Sequence, residues 1–112
     1  ALARIPGATR PLIEALSDPA PAVRALAAEG LGLARDPAAS GPLANLLADP
    51  DPEVRFAALV ALGQLDGDAA ARAVEGQVNS PDGRMRLLAG RLVADRQAVA
   101  VAPLRATNRA AT

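Results

Sequence analysis

Aspartate, glutamate and arginine carry every charge in this 112-residue chain, and histidine, cysteine, lysine, tyrosine and tryptophan are all absent. That leaves no thiol nucleophile, no imidazole acid or base and no zinc site of the usual ligand type. The carboxylates remain for acid–base work, but nearly all of them stand at turns and helix starts, where capping explains them. Asp66 and Asp68 flank Gly67 in one such turn, and capping is the preferred reading there over catalysis or metal binding. Gly30, Gly32, Gly63 and Gly90 lie inside apolar, helix-like segments, which suits close packing rather than a phosphate-cradling loop. The expectation is therefore a protein that is not an enzyme and holds neither cofactor nor metal.

The arginines offer a different chemistry. Arg24, Arg55 and Arg86 recur at a spacing of 31 residues, and a regular row of cations is one way to track a phosphate backbone. Against that, acids recur in the matching turns at Asp18 and Asp49, the formal net charge is zero, and no aromatic residues interleave for base stacking. A structural role is preferred, and no nucleic-acid partner is expected.

These arginines belong to a larger pattern. Pro19, Val23, Arg24, Ala27 and Leu31 return as Pro50, Val54, Arg55, Ala58 and Leu62, then as Pro81, Met85, Arg86, Ala89 and Val93. A fixed period of this length marks a stacked helical array. Each unit opens with an apolar segment led by Leu12 and Leu16, Leu43 and Leu47, or Val74 and Val78, whose i, i+4 spacing gives one buried stripe. A proline-bearing turn follows, and then a second helix with Val54, Ala58, Leu62 and Leu65, or their equivalents, on one face. Asp51 and Asp82 can cap these second helices, whereas Ala20 cannot. The pattern predicts first (A) helices near 9–17, 39–48 and 69–79, and second (B) helices near 21–35, 52–66 and 83–96. Half the residues are hydrophobic but only Phe56 is aromatic, so alanine and leucine must fill the core.

The turn and helix Asp49-Pro50-Asp51-Pro52-Glu53-Val54-Arg55, with Ala58, Leu62 and Gly63, resembles HEAT repeats. Its short period is similar to the bacterial HEAT-like repeats first grouped with phycobilin lyases. The ankyrin and tetratricopeptide signatures are missing. The resemblance implies an all-α, right-handed α-solenoid, also described as armadillo-like, of about three helix pairs at residues 9–38, 39–69 and 70–96. It further implies that Asp18, Asp49, Arg24, Arg55 and Arg86 form a ladder of charge-assisted hydrogen bonds between repeats, ending where Ser80 interrupts the aspartates. Residues 1–8 align with the close of a B helix, which suggests the C-terminal part of a longer solenoid. Gln77 and Arg96 replace Leu46 and Leu65, as in a capping repeat, and residues 97–112 form a tail or degenerate cap.

In such a stack the B helices line the concave face, and a row offset from the core reads Ala25, Glu29, Leu33, then Phe56, Val60, Gln64, then Leu87, Arg91, Asp95. Phe56, Val60, Leu33 and Leu87, rimmed by Glu29 and Arg91, have the composition of a protein-binding patch. Phe56 could instead wedge between repeats as core. The leading expectation is a non-catalytic scaffold for a partner protein. The resemblance also offers a phycobilin lyase-type enzyme and, with less support, a DNA-binding HEAT-like module such as those of alkylpurine DNA glycosylases. No apolar run approaches the roughly 20 residues that span a bilayer, and the lack of cysteine suits the cytoplasm.

Overall fold

The computed structural model describes the backbone of residues 9–111 and the side chains of residues 9–98. The chain folds as α1 (Thr9–Ala15), α2 (Pro21–Ala34), α3 (Ser40–Leu46), α4 (Pro52–Gln64), α5 (Asp68–Gly76) and α6 (Gly83–Ala111). Short 3-10 turns at Pro37–Ala39 and Gln77–Asn79 precede α3 and follow α5, so the predicted A helices at 39–48 and 69–79 are each part 3-10. Among the described residues there is no strand. The helices pair as α1/α2, α3/α4 and α5/α6, and successive pairs pack α2 on α4 and α4 on α6, with α3 on α5. The architecture is an all-α solenoid. The third B helix does not stop near 96, however: α6 continues as one helix to Ala111. Residues 1–8, assigned above to a preceding repeat, lie outside the described residues.

Local chemistry sets where the helices begin. The Asp51 carboxylate accepts hydrogen bonds from the backbone N–H groups of Glu53 (2.8 Å) and Val54 (3.4 Å), and Asp82 accepts from Arg84 N–H at 2.9 Å. Pro52 then occupies the first turn of α4, where its missing N–H costs nothing. Ala20 holds the same extended conformation before α2 (φ −82°, ψ 121°) that Asp51 holds before α4 (φ −88°, ψ 123°). It offers no side-chain acceptor, so α2 starts without a side-chain cap.

Burial concentrates on α4, which touches α2, α3, α5 and α6 and buries Val54, Ala58, Leu59, Ala61 and Leu62. Leu31, Leu43, Val74 and Met85 complete the core from the flanking helices, and Leu65 from the end of α4. Each fully buried leucine is worth roughly 1.5–3 kcal/mol. The A-helix stripes are shorter than expected. Leu16, Leu43 and Val74 are buried, but Leu47 is half-buried, Val78 is exposed, and Leu46 takes the inward place. Small residues let the B helices approach closely: a Cβ built on Gly32 would lie 2.8 Å from the Ala61 Cα and would displace the Gln64 side chain. At Gly63 the obstacle is the flexible end of Leu92, 2.7 Å away, and at Gly90 nothing lies within 4 Å.

These local geometries set the expected effects of three substitutions. Ala20→Asp should stabilise the protein by about 1 kcal/mol, the usual worth of an N-cap, read as a higher urea midpoint. Gly90→Ala should also stabilise, by about 0.5–1 kcal/mol of helix propensity. Gly32→Ala should lose about 1–2 kcal/mol, because overpacking against backbone outweighs that gain. Equal midpoints for the two glycine variants would mean that α2 and α4 do not meet at Gly32.

Candidate functional site

The periodic arginines and aspartates meet at the turns between paired helices. Arg24 donates from Nε and Nη2 to both Asp49 carboxylate oxygens, at 2.8 and 3.0 Å. Its Nη1 donates to the carbonyls of Asp18 (2.8 Å) and Pro19 (3.0 Å). One guanidinium thus fastens its own turn and the next repeat's turn together. Arg55 repeats the carbonyl half on Asp49 (2.8 Å) and Pro50 (3.2 Å), as does Arg86 on Ser80 (2.8 Å) and Pro81 (3.2 Å). The ladder does not stop at Ser80, as the aspartate series suggested, because Arg55 reaches the Asp82 carboxylate at 3.7 Å. Of the two roles of the Asp49 side chain, Ser80 keeps the one that accepts a backbone N–H two residues on.

Burial pushes the Asp49 carboxyl up. The Arg24 hydrogen bonds, the Asp51 backbone N–H and the charges of Arg24 and Arg55 outweigh it, and they hold Asp49 below its ordinary value. The Asp49 hydrogen bonds likewise keep Arg24 raised.

Arg96, expected to mark a polar cap, turns back onto the second repeat. Its Nη2 donates to the carbonyls of Leu62 (3.1 Å) and Leu65 (2.9 Å) at the C-terminal end of α4, where a cation complements the helix dipole. Asp66 and Asp68 are exposed. Among the described residues, no group of three or more carboxylates is placed to hold a metal ion, and no helix is long and apolar enough to cross a membrane.

Of the patch predicted on the B helices, the structure assembles part. An open groove of about 460 Å³ runs between α2 and α4, and Glu29, Leu33, Phe56 and Val60 line it together with Ala25, Glu53, Ala57 and Gln64. Leu87 and Arg91 do not join them. Both are exposed on α6, Leu87 at 78%, and the α6 side chain that reaches the groove-lining Phe56 is Arg84. The Arg84 guanidinium lies 3.8 Å from the Phe56 ring centroid while its Nη1 donates to Glu53 at 2.8 Å. Phe56 is therefore both things considered for it: half-buried against the core on one side and groove lining on the other.

Sequence reasoning missed Glu53, Ala57 and Arg84. The signal for two of them was present, since Glu53 and Arg84 stand 31 residues apart with opposite charges. Equivalent positions of stacked B helices are neighbours, as the Glu53–Arg84 pair demonstrates.

Helix pairs in register, joined by proline turns and an arginine–aspartate fork, define an α-solenoid module. The family model for HEAT repeats matches residues 9–94, and the chain belongs to that family. No curated protein matches the sequence.

The depressed Asp49 gives a pH prediction. A carboxyl with a lower pKa folded than unfolded contributes fully above the unfolded value, about 4, and loses that contribution as pH falls through the folded one. The stability advantage of the wild-type protein over Asp49→Asn should be full at neutral pH and shrink steadily below about pH 4, followed by urea denaturation in stepped buffers. A gap that stays constant through the acid range would detach Asp49 from acid unfolding.

Proposed function

We propose that this chain is a non-catalytic protein-interaction scaffold that seats a partner protein in the α2/α4 groove of its B-helix face. The observation that carries this reading is the groove itself. Its floor is apolar, formed by Ala25, Phe56, Ala57 and Val60, with Leu33 exposed at one end and Glu29 and Glu53 at the rim. An exposed apolar patch within a polar rim is the usual anatomy of a protein interface. Phe56 is held in place by the Arg84 guanidinium on its ring, so a partner meets a preformed surface and orders little on binding. Glu29 has no ion-pair partner among the described residues, which favours an apolar side chain flanked by a basic group on the partner.

The family supports the same class of role, since HEAT repeats generally mediate protein–protein interaction. Arg24, the best-placed member of the arginine row, has all three of its nitrogens engaged within the protein, which argues against a phosphate track.

The test is capture of the native partner by the immobilised protein. Val60→Asp and Leu33→Asp, both at exposed positions, should weaken capture at least about tenfold, as loss of a central interface contact does. Leu26→Asp, on a different face, should leave capture unchanged. Retention of the same partner by both groove variants would move the interface elsewhere.

A further inference from the structure

The groove between α2 and α4 follows the two helices lengthwise. Ala25, Glu29 and Leu33 stand one turn apart on α2, and the α4 wall runs from Glu53 to Gln64. At about 1.5 Å of rise per residue, that wall is on the order of 16 Å long, or about three helical turns. Small side chains, Ala25 and Ala57, alternate along it with the larger Phe56, Val60 and Leu33. Ridges and hollows of this size, set along helix axes, match the side-chain rows of another helix.

Backbone chemistry points the same way. Both walls are α-helices, whose interior N–H and C=O groups are bonded within the helix, so the groove has no edge for a strand to join. An extended segment laid there would press unpaired backbone groups against apolar side chains, whereas a helix satisfies its own. A polyproline segment is held by aromatic-lined grooves. Phe56 is the one aromatic residue in the chain, and Arg84 already lies on one face of its ring.

Charge adds a second requirement. Among the described residues no arginine lines the groove, and its charged groups are Glu29 and Glu53. Arg84 occupies Glu53 at 2.8 Å. Glu29 is exposed, stands between Ala25 and Leu33 on the α2 wall, and pairs with no basic group among the described residues.

We infer that the partner presents an amphipathic α-helix to this groove, with apolar side chains at i, i+4 and i+7 and an arginine or lysine beside the central one, against Glu29. This rests on the scaffold reading and adds the conformation and charge of the partner. The three apolar side chains fill the hollow over Ala25, the flank of Val60 and the exposed side of Leu33. The basic residue sits at the rim, where salt screens its pairing, and it fixes the orientation of the helix more than its affinity.

Two phage-displayed peptide libraries, selected on the immobilised protein, test this. One randomises a face and the flanks of an alanine-rich helix, and the other carries proline-containing extended peptides. The helical library should yield binders that share the apolar spacing and a basic flank, and the extended library none that compete with them. Synthetic copies of those binders should lose at least about tenfold in affinity on Val60→Asp, lose about two- to fivefold on Glu29→Gln, and keep their affinity on Leu26→Asp. Selection repeated on Glu29→Arg should turn the favoured flank acidic. Circular dichroism checks that each variant is folded; should Val60→Asp unfold, Leu33→Asp, at a position 62% exposed, takes its place. Groove-dependent binders that are extended, or a flank unselected on both proteins, would overturn this inference and leave the scaffold reading standing. So would a helical library without binders while the native partner is still captured through Val60 and Leu33. Binders indifferent to both groove substitutions would remove the groove from the scaffold reading as well. Self-association of the free protein that Val60→Asp abolishes would make the occupant a second copy, and would also overturn the inference.

Discussion

The fold depends on a guanidinium placed where three pieces of chain converge. Arg24 leaves the first turn of α2, closes its own loop through the carbonyls of Asp18 and Pro19, and meets the next repeat's Asp49 with a two-point fork. A planar fork fixes distance and angle at once, which a lysine's point charge cannot do. Asp49 in turn is a buried acid that also receives the Asp51 N–H, so its remaining capacity is used in shaping the turn that starts α4. An unpaired carboxylate at this depth would be costly. The pair therefore ties the spacing between repeats to the conformation of the loop within each one.

Around that joint, the helices come close because their contact positions are small. Gly32 against Ala61 leaves no room for a methyl group, whereas Gly63 faces only the flexible end of Leu92. Val54, Leu59 and Leu62 on α4 are then buried among the four neighbouring helices. A protein with one aromatic residue obtains a dry core in this way, through close approach of many aliphatic side chains rather than large rings.

The groove is a product of the same stacking. Alanine at 25 and phenylalanine at 56 occupy equivalent positions in successive B helices, so a small residue faces a large one and a hollow opens beside the ring. Arg84 comes from the third repeat to lie on Phe56, and Glu53 holds it there. Both charges are largely exposed, and such a pair adds little to stability. Its contribution is positional, since it holds a guanidinium against one face of the ring.

The sequence by itself determined the helices, their order and their pairing. Each of those rests on short-range rules, in which apolar periodicity, proline at first turns and aspartate caps act within a few residues of one another. The 31-residue repeat then carried one local solution to the next, which is why the core positions at Ala27, Ala58 and Ala89 could be read together. The continuation of α6 past residue 96 was not legible, because the repeat pattern gives no register there. Partners across the stack were also out of reach. That Asp82 serves Arg55 beside the serine that breaks the series, that Arg96 turns back to the end of α4, and that Leu87 stays outside the groove all depend on how far one helix pair is displaced on the next. That displacement is set by side-chain volumes at the interface, a property of two surfaces in contact, and only the tertiary structure decided it.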